Sequence, residues 1–316
     1  AVSEFVEHYL GSRGIRVTKD QAGQELGGET GNLHALLPGR AELPKLLFSA
    51  HLDVAKPPAC PQLQQGILRA PAGYFAADDR IGLALLLALT DCLLEEPARG
   101  RVELLLTIAE EAGLVGVRQI SPGTLDADCA FVLDGPGTPG SVAIKGDAAE
   151  EFRITVLGRP PRQGHHAGPE ARWVVNRAIA RLPVGQIDQE STLEFLSTAE
   201  SAGDVLLSGV VYAPDERGIG RILESVRVLF RETVTRYGLG FTFQTGRAYP
   251  GYRHSLAATP VGLAVAAAKH VLLKPILLHQ RGASDANILN MLGLPAVNLG
   301  ARSEERRVGK ECRSRW

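Results

Sequence analysis

The chain has 316 residues, a formal net charge of −1 and 45% hydrophobic residues, which is length enough for a large core and for two domains. The near-neutral balance excludes a strongly basic nucleic-acid binder and an acidic tail protein. An aromatic content of 5% speaks against base-stacking platforms for single strands.

Four cysteines, Cys60, Cys92, Cys129 and Cys312, stand far apart with no CxxC pair. They read as reduced, mostly buried thiols rather than a disulfide frame or a cysteine zinc site, and the setting is expected to be cytoplasmic. No apolar run approaches the ~18 residues that span a bilayer, so neither a membrane nor a nucleic acid is expected as a partner. The chain opens at Ala1, without Met, directly in a helical pattern of Val2, Phe5, Val6, Tyr9 and Leu10. It reads as a chain entered partway, and any leader would lie ahead of Ala1.

Residues 45–50 form a strand candidate ending at His51. Residues 80–94 form an apolar helix with Leu83, Leu86, Leu87 and Leu94 among its buried positions. Residues 101–108 and 129–133 are rich in branched side chains and read as buried strands. This alternation predicts an α/β fold with a mainly parallel sheet covered by helices. The rhythm changes near Gly146. Residues 151–157 alternate polar and apolar, a helix pattern follows over 172–182, and strands at 192–196, 205–212 and 241–245 enclose a helix over 219–237. That β-α-β-β-α-β order predicts an inserted α+β domain with four strands. From Thr259 the first style returns: a helix through Val271, a strand at 276–279, a short helix from Ser284 and a strand at 296–299. The expected organisation is a catalytic domain in two parts, 1–147 and 257–301, with a lid domain over 148–256 between them.

Residues 302–316 break the pattern. They hold five Arg, one Lys and three Glu, a net +3 that leaves −4 for the preceding chain (−1 − 3). The segment resembles a translated sequencing adapter. It is expected to be non-native, to make few apolar contacts and to supply no ligand.

Four acidic or histidine clusters fall at strand ends or in the loops after them, where ligands bind in open α/β sheets. In Ser49-Ala50-His51-Leu52-Asp53 the i, i+2 spacing projects His51 and Asp53 to one side. One imidazole nitrogen can then bind a metal while Asp53 orients the other, although a surface histidine with a nearby acid fits equally. Asp78-Asp79 precede the apolar helix, as helix caps do, and one of them can also bridge two cations. Glu110-Glu111 follow a buried strand. Adjacent side chains point apart, so one can bind metal while the other faces substrate or water, unless they are a surface charge pair. Asp134 ends an apolar strand and is a ligand candidate or a turn former.

Together the order HxD, ADDR-x-G, EExGLxG and LDG resembles the dinuclear zinc peptidase family that includes peptidase T, carboxypeptidase G and the aminoacylases. His165-His166-Ala167-Gly168 resembles its HAG motif, Gly282-Ala283-Ser284-Asp285-Ala286-Asn287 its GGSDAN segment, and Gly293-Leu294-Pro295-Ala296-Val297 its GIP-x-V strand. The peptidase-T-like branch is the nearest in pattern. The resemblance implies hydrolysis of di- or tripeptides, in aminopeptidase fashion, with two divalent cations, Zn²⁺ or else Mn²⁺ or Co²⁺. It implies that His51, Asp78 and Asp134 hold one metal and that Asp78 bridges to a second, which Glu111 also binds. Glu110 would be the general base and Asp53 would orient His51. His166 would reach the partner subunit's active site in a homodimer formed through the lid, and Ser284, Asp285 and Asn287 would contact substrate together with it. An N-acyl-amino-acid amidohydrolase with the same site is the alternative, and a non-catalytic metal-binding or interaction protein is the alternative of another class.

The chain departs from the family pattern in two places. A metal-binding His is expected soon after 296–301, where the adapter-like segment stands without any His, so the second metal is expected to be held weakly and activity to be impaired. In addition, residues 200–216 show neither the Asn nor the E-x-R motif by which the family's lid meets a substrate carboxylate.

Overall fold

The computed structural model describes residues 2–65, 67–70, 73–96, 98–121, 123–158 and 170–301. His165, His166 and the adapter-like segment lie outside them. The chain divides into two compact units, one formed by Asp147–Tyr252 and one by the chain on either side of it.

The split unit begins with α1 (Val2–Gly11), β1 (Val17–Lys19), α2 (Ala22–Glu25), β2 (Leu33–Leu37) and β3 (Leu46–His51). An antiparallel hairpin, β4 (Gln62–Gln64) and β5 (Ile67–Arg69), leads to α3 (Arg80–Glu95), β6 (Val102–Thr107), α4 (Val115–Arg118), β7 (Cys129–Gly135) and β8 (Ser141–Gly146). The other unit then contributes β9 (Ala148–Leu157), α5 (Ala171–Ile179), β10 (Gly185–Gln186), β11 (Thr192–Ser201), β12 (Asp204–Ala213), α6 (Glu216–Arg236) and β13 (Gly240–Tyr249). The chain returns through β14 (Tyr252–Arg253) to α7 (Thr259–His270), β15 (Ile276–Gln280), α8 (Asp285–Met291) and β16 (Ala296–Gly300).

In the split unit the sheet runs β1-β2-β6-β3-β7-β16-β8, with β15 also beside β8. The central strands β6, β3, β7 and β16 are parallel, and antiparallel neighbours flank them. Every residue of β6 and β7 is buried, as expected for parallel strands covered on both faces. Leu83 and Leu86 of α3 pack with Val6, Leu10, Leu33, Leu104 and Leu106. A second cluster gathers Val261 of α7 with Phe131, Val142 and Val297. Each such side chain contributes about 1.5–3 kcal/mol by leaving water.

Register is what places the site. His51 pairs with Thr107, and Ser49 pairs with Val132. His51 and Asp134 each stand two residues beyond that second pair, so the ends of β3, β6 and β7 deliver their loops at one level.

The unit formed by Asp147–Tyr252 is an antiparallel sheet in the order β10-β11-β12-β9-β13. It packs on α5 and α6 around Ile154, Val174, Leu193, Phe230 and Val234. The sequence reading expects four strands here. The fifth, β10, is two residues long and too short to show an alternation. The thiols also differ from expectation: Cys129 is buried in β7, but Cys60, in a loop, and Cys92, on the outer side of α3, are exposed. Among the described residues no helix is long and apolar enough to cross a membrane.

At the opposite end of the sheet from His51, Glu103 of β6 is only 1% exposed. It pairs with His34 Nε2 at 3.0 Å, with Arg101 at 3.3 Å, and accepts the Asp126 amide at 3.1 Å. Burial raises its pKa, but the His34 bond, the amide and Arg101 outweigh that and hold the carboxyl below its ordinary value. A depressed carboxyl stabilises the fold above its unfolded pKa and loses that contribution as pH falls through the folded one. Urea titrations between pH 6 and pH 3 should therefore show the wild type losing stability more steeply below about pH 4.5 than Glu103→Gln, which has no proton to gain.

Candidate metal centre

The site is assembled where β3, β6 and β7 end. His51, Asp78, Asp79 and Asp134 are all buried. His51 Nε2 lies 3.3 Å from Asp78 Oδ1, and Nδ1 lies 3.5 Å from Asp53 Oδ1. One donor atom each from His51, Asp78 and Glu111 falls within a 4.8 Å group, and so does one each from His51, Asp79 and Asp134. The structure thus brings together every residue expected to bind metal, in two overlapping triads that share His51.

Asp79 enters the second triad, where the resemblance implies Asp78 as the ligand. Its Oδ1 caps α3 by accepting the Gly82 amide at 3.0 Å, and its Oδ2 accepts the His51 amide at 3.3 Å. It therefore ties the start of α3 to the end of β3. The glycine of ADDR-x-G follows from this contact. A Cβ on Gly82 would strike the Asp79 carboxylate and come within 2.6 Å of the Leu133 carbonyl.

Asp53 does more than face His51. Its two oxygens accept the backbone amides of Glu110 and Glu111, each at 3.1 Å, so one carboxylate fixes the imidazole and the acidic loop together. From the other side Asn32, 2% exposed, accepts the Ile108 amide at 3.0 Å and donates to the Gly116 carbonyl at 2.8 Å. Gly116 has no room for a Cβ, which would meet the Ile108 carbonyl and approach Asn32 Oδ1 at 2.7 Å. Asn32 lies far from any of the four motifs in sequence, and nothing local marks it.

Burial and the neighbouring Asp134 push the Glu110 carboxyl up to about 10, against the opposing pull of His51. Burial and Asp78 raise Glu111 in the same direction, and burial, Asp134 and Asp78 raise Asp79. Burial disfavours the charged form of His51, but its bonds to Asp53 and Asp78 and the charges of Asp134 and Glu110 outweigh it, so His51 is raised. Burial also raises Asp53, yet His51 and the two loop amides leave it below its ordinary value. Such crowding of acids is costly without cations. Glu111 Oε1 is buried with no hydrogen-bond partner among the described residues. One imidazole and several carboxylates are a donor set that suits Zn²⁺, Mn²⁺ or Co²⁺. The residues fit divalent metal.

A small open cleft adjoins this cluster, lined by Asp78, Glu110, Asp134, Gln280, Arg281 and Gly282 among others. Ser284, Asp285 and Asn287, expected at the substrate, are buried behind the residues that line the cleft. The Ser284 amide donates to Asn287 Oδ1 at 3.1 Å, and Asp285 Oδ2 accepts from Thr107 Oγ1 at 2.5 Å. These side chains shape the turn into α8, and the residues just before them face the cleft.

Comparison with known proteins defines the class. The fold matches aminopeptidase PepT of Bacillus cereus with a TM-score of 0.86 at 24% identity, covering 96% of this chain and 85% of that one. It matches a dinuclear metal-binding peptidase of the M20 family from Bacillus subtilis with a TM-score of 0.70 at 18% identity, covering 96% and 83%. Both likenesses are likenesses of fold. The sequence profile of peptidase family M28 matches residues 32–193, more than half of the chain, and the chain belongs to that family. Among curated relatives, the uncharacterised protein YqjE of Bacillus subtilis is 24% identical over 96% of this chain and 85% of its own length. Peptidase T of Clostridium botulinum is 24% identical over 71% of this chain and 58% of its own length.

Replacing Asp53 by Ala should release both the imidazole and the Glu110–Glu111 loop. Zinc affinity, measured by competition with a chromophoric chelator, should fall about 10–100-fold. A change of less than twofold would show that Asp53 does not organise the centre.

Proposed function

We propose that this chain hydrolyses peptide bonds in short peptides, in the manner of a di- or tripeptide aminopeptidase. The observation that carries the reading is the pair of donor triads that share His51, one with Asp78 and Glu111 and one with Asp79 and Asp134, with Glu110 on the wall of the cleft beside them. Two divalent cations, Zn²⁺ foremost, when bound supply the Lewis acidity that polarises a carbonyl and acidifies water. His51, Asp78, Glu111 and Asp134 would hold them.

Glu110 is the proton carrier. Its backbone is pinned by Asp53, while its carboxylate faces the cleft beside Asp78 and Asp134. It takes the proton of the attacking water and delivers it to the leaving amine. Asp53 keeps the His51 ring and the acidic loop in step, so that ligand and base stay in register. The same reading carries a homodimer through the inserted unit, where β13 is an outermost strand. It gives His166 the task of steadying the substrate carbonyl from the partner subunit, and it places the enzyme in the cytoplasm.

Two variants separate base from ligand. Glu110→Gln should keep its zinc content and lose about 10²–10⁴-fold in turnover of trialanine, whereas Glu111→Ala should lose zinc as well. Equal metal loss in both would contradict the division of roles. With the wild type, release of alanine from dialanine or trialanine supports the peptidase reading. Release from N-acetylalanine alone would replace it by the amidohydrolase, and release from neither substrate at full metal occupancy would reject both.

A further inference from the structure

We propose that Asp285 is a charge kept for the metals and not for the fold. Buried behind the donor cluster, its carboxylate strengthens the hold on divalent cations and costs the metal-free chain stability. The inference rests on the two-metal reading and carries it to a residue outside both donor triads and outside the lining of the cleft.

Asp285 opens α8 at 2% exposure, and its neighbours Ser49 and Thr107 are at 0%. The bond from Thr107 Oγ1 to Asp285 Oδ2 ties it to the last residue of β6, which is the register partner of His51. Ser49 lies two residues before His51 on β3. The carboxylate therefore stands against the strand ends that deliver the cluster. Its charge acts on Glu110, and the charges of His51 and Asp53 act on it. Burial pushes the carboxyl up to about 6, against the Thr107 bond and the His51 charge.

Packing alone does not call for an acid at this position. An asparagine of the same shape keeps the bond from Thr107 and avoids the desolvation of a charge. Ser49 Oγ, buried and accepting no hydrogen bond from the described residues, offers the added amide an acceptor. What an asparagine does not supply is negative charge. Close to divalent cations, in an interior that screens weakly, that charge is attractive.

The test reads metal binding and stability separately, in wild type, Asp285→Asn and Asp285→Ala. Affinity for the first equivalent of zinc, by competition with a chromophoric chelator, should fall about 10–100-fold in Asp285→Asn. The thermal midpoint of the same variant without metal should stay level or rise. Asp285→Ala, which also leaves Thr107 Oγ1 without its acceptor, should lose both affinity and stability. An Asp285→Asn chain that binds zinc within twofold of wild type would overturn the proposal and leave the metal reading intact. So would a metal-free midpoint that falls together with the affinity, which is the mark of a merely structural role. A wild type that binds no divalent ion would reject the metal reading itself, and this inference with it.

Discussion

Negative charge concentrated at the end of an apolar sheet is the constraint on which this structure depends. Asp78, Asp79, Asp134 and Glu110 share a space next to Leu133 and Ile108, with one imidazole to offset them. Left without cations, the cluster would have to hold protons at neutral pH, as the Glu110 carboxyl, pushed up to about 10, indicates. Divalent ions remove the conflict, and that same charge then becomes the affinity for the ions.

Holding such a cluster in place requires a rigid frame, and the frame is mostly backbone hydrogen bonding to buried polar side chains. Asp79 joins α3 to β3, Asp53 joins β3 to the Glu110–Glu111 loop, Asn32 joins that loop to the strand β2 region, and Asn298 joins β7 to the end of β15. Each spans elements distant in sequence. The motif glycines belong to the same frame. At Gly82 and Gly116 a single methyl group would displace the carboxylate or carbonyl against which the loop is set.

Much of this was legible in the chain itself, for identifiable reasons. The long apolar runs of β6 and β7 and the 16-residue α3 declare themselves by composition, and acids placed directly after them are conspicuous. The two-residue β10 is too short for a period to show. The sequence offers Asp79 as a helix cap or a bridging ligand, and adjacency to Asp78 does not reveal that its carboxylate also turns back to the His51 amide. Asn32 and Asn298 were invisible, since their meaning lies in partners about 80 and 160 residues away. The polarity of Ser284 and Asn287 suggests a ligand, and nothing in their spacing reveals that they form a buried helix start in which the Ser284 amide donates to Asn287 Oδ1.

X-ray absorption at the zinc edge, on the metal-free chain reloaded with one and then two equivalents, tests the account most directly. The predicted shell is oxygen and nitrogen at about 2.0–2.2 Å, with imidazole scattering that disappears in His51→Ala and an oxygen count that drops in Asp78→Ala. A sulfur scatterer at about 2.3 Å, or a spectrum unchanged by either substitution, would place the metal elsewhere and contradict the account.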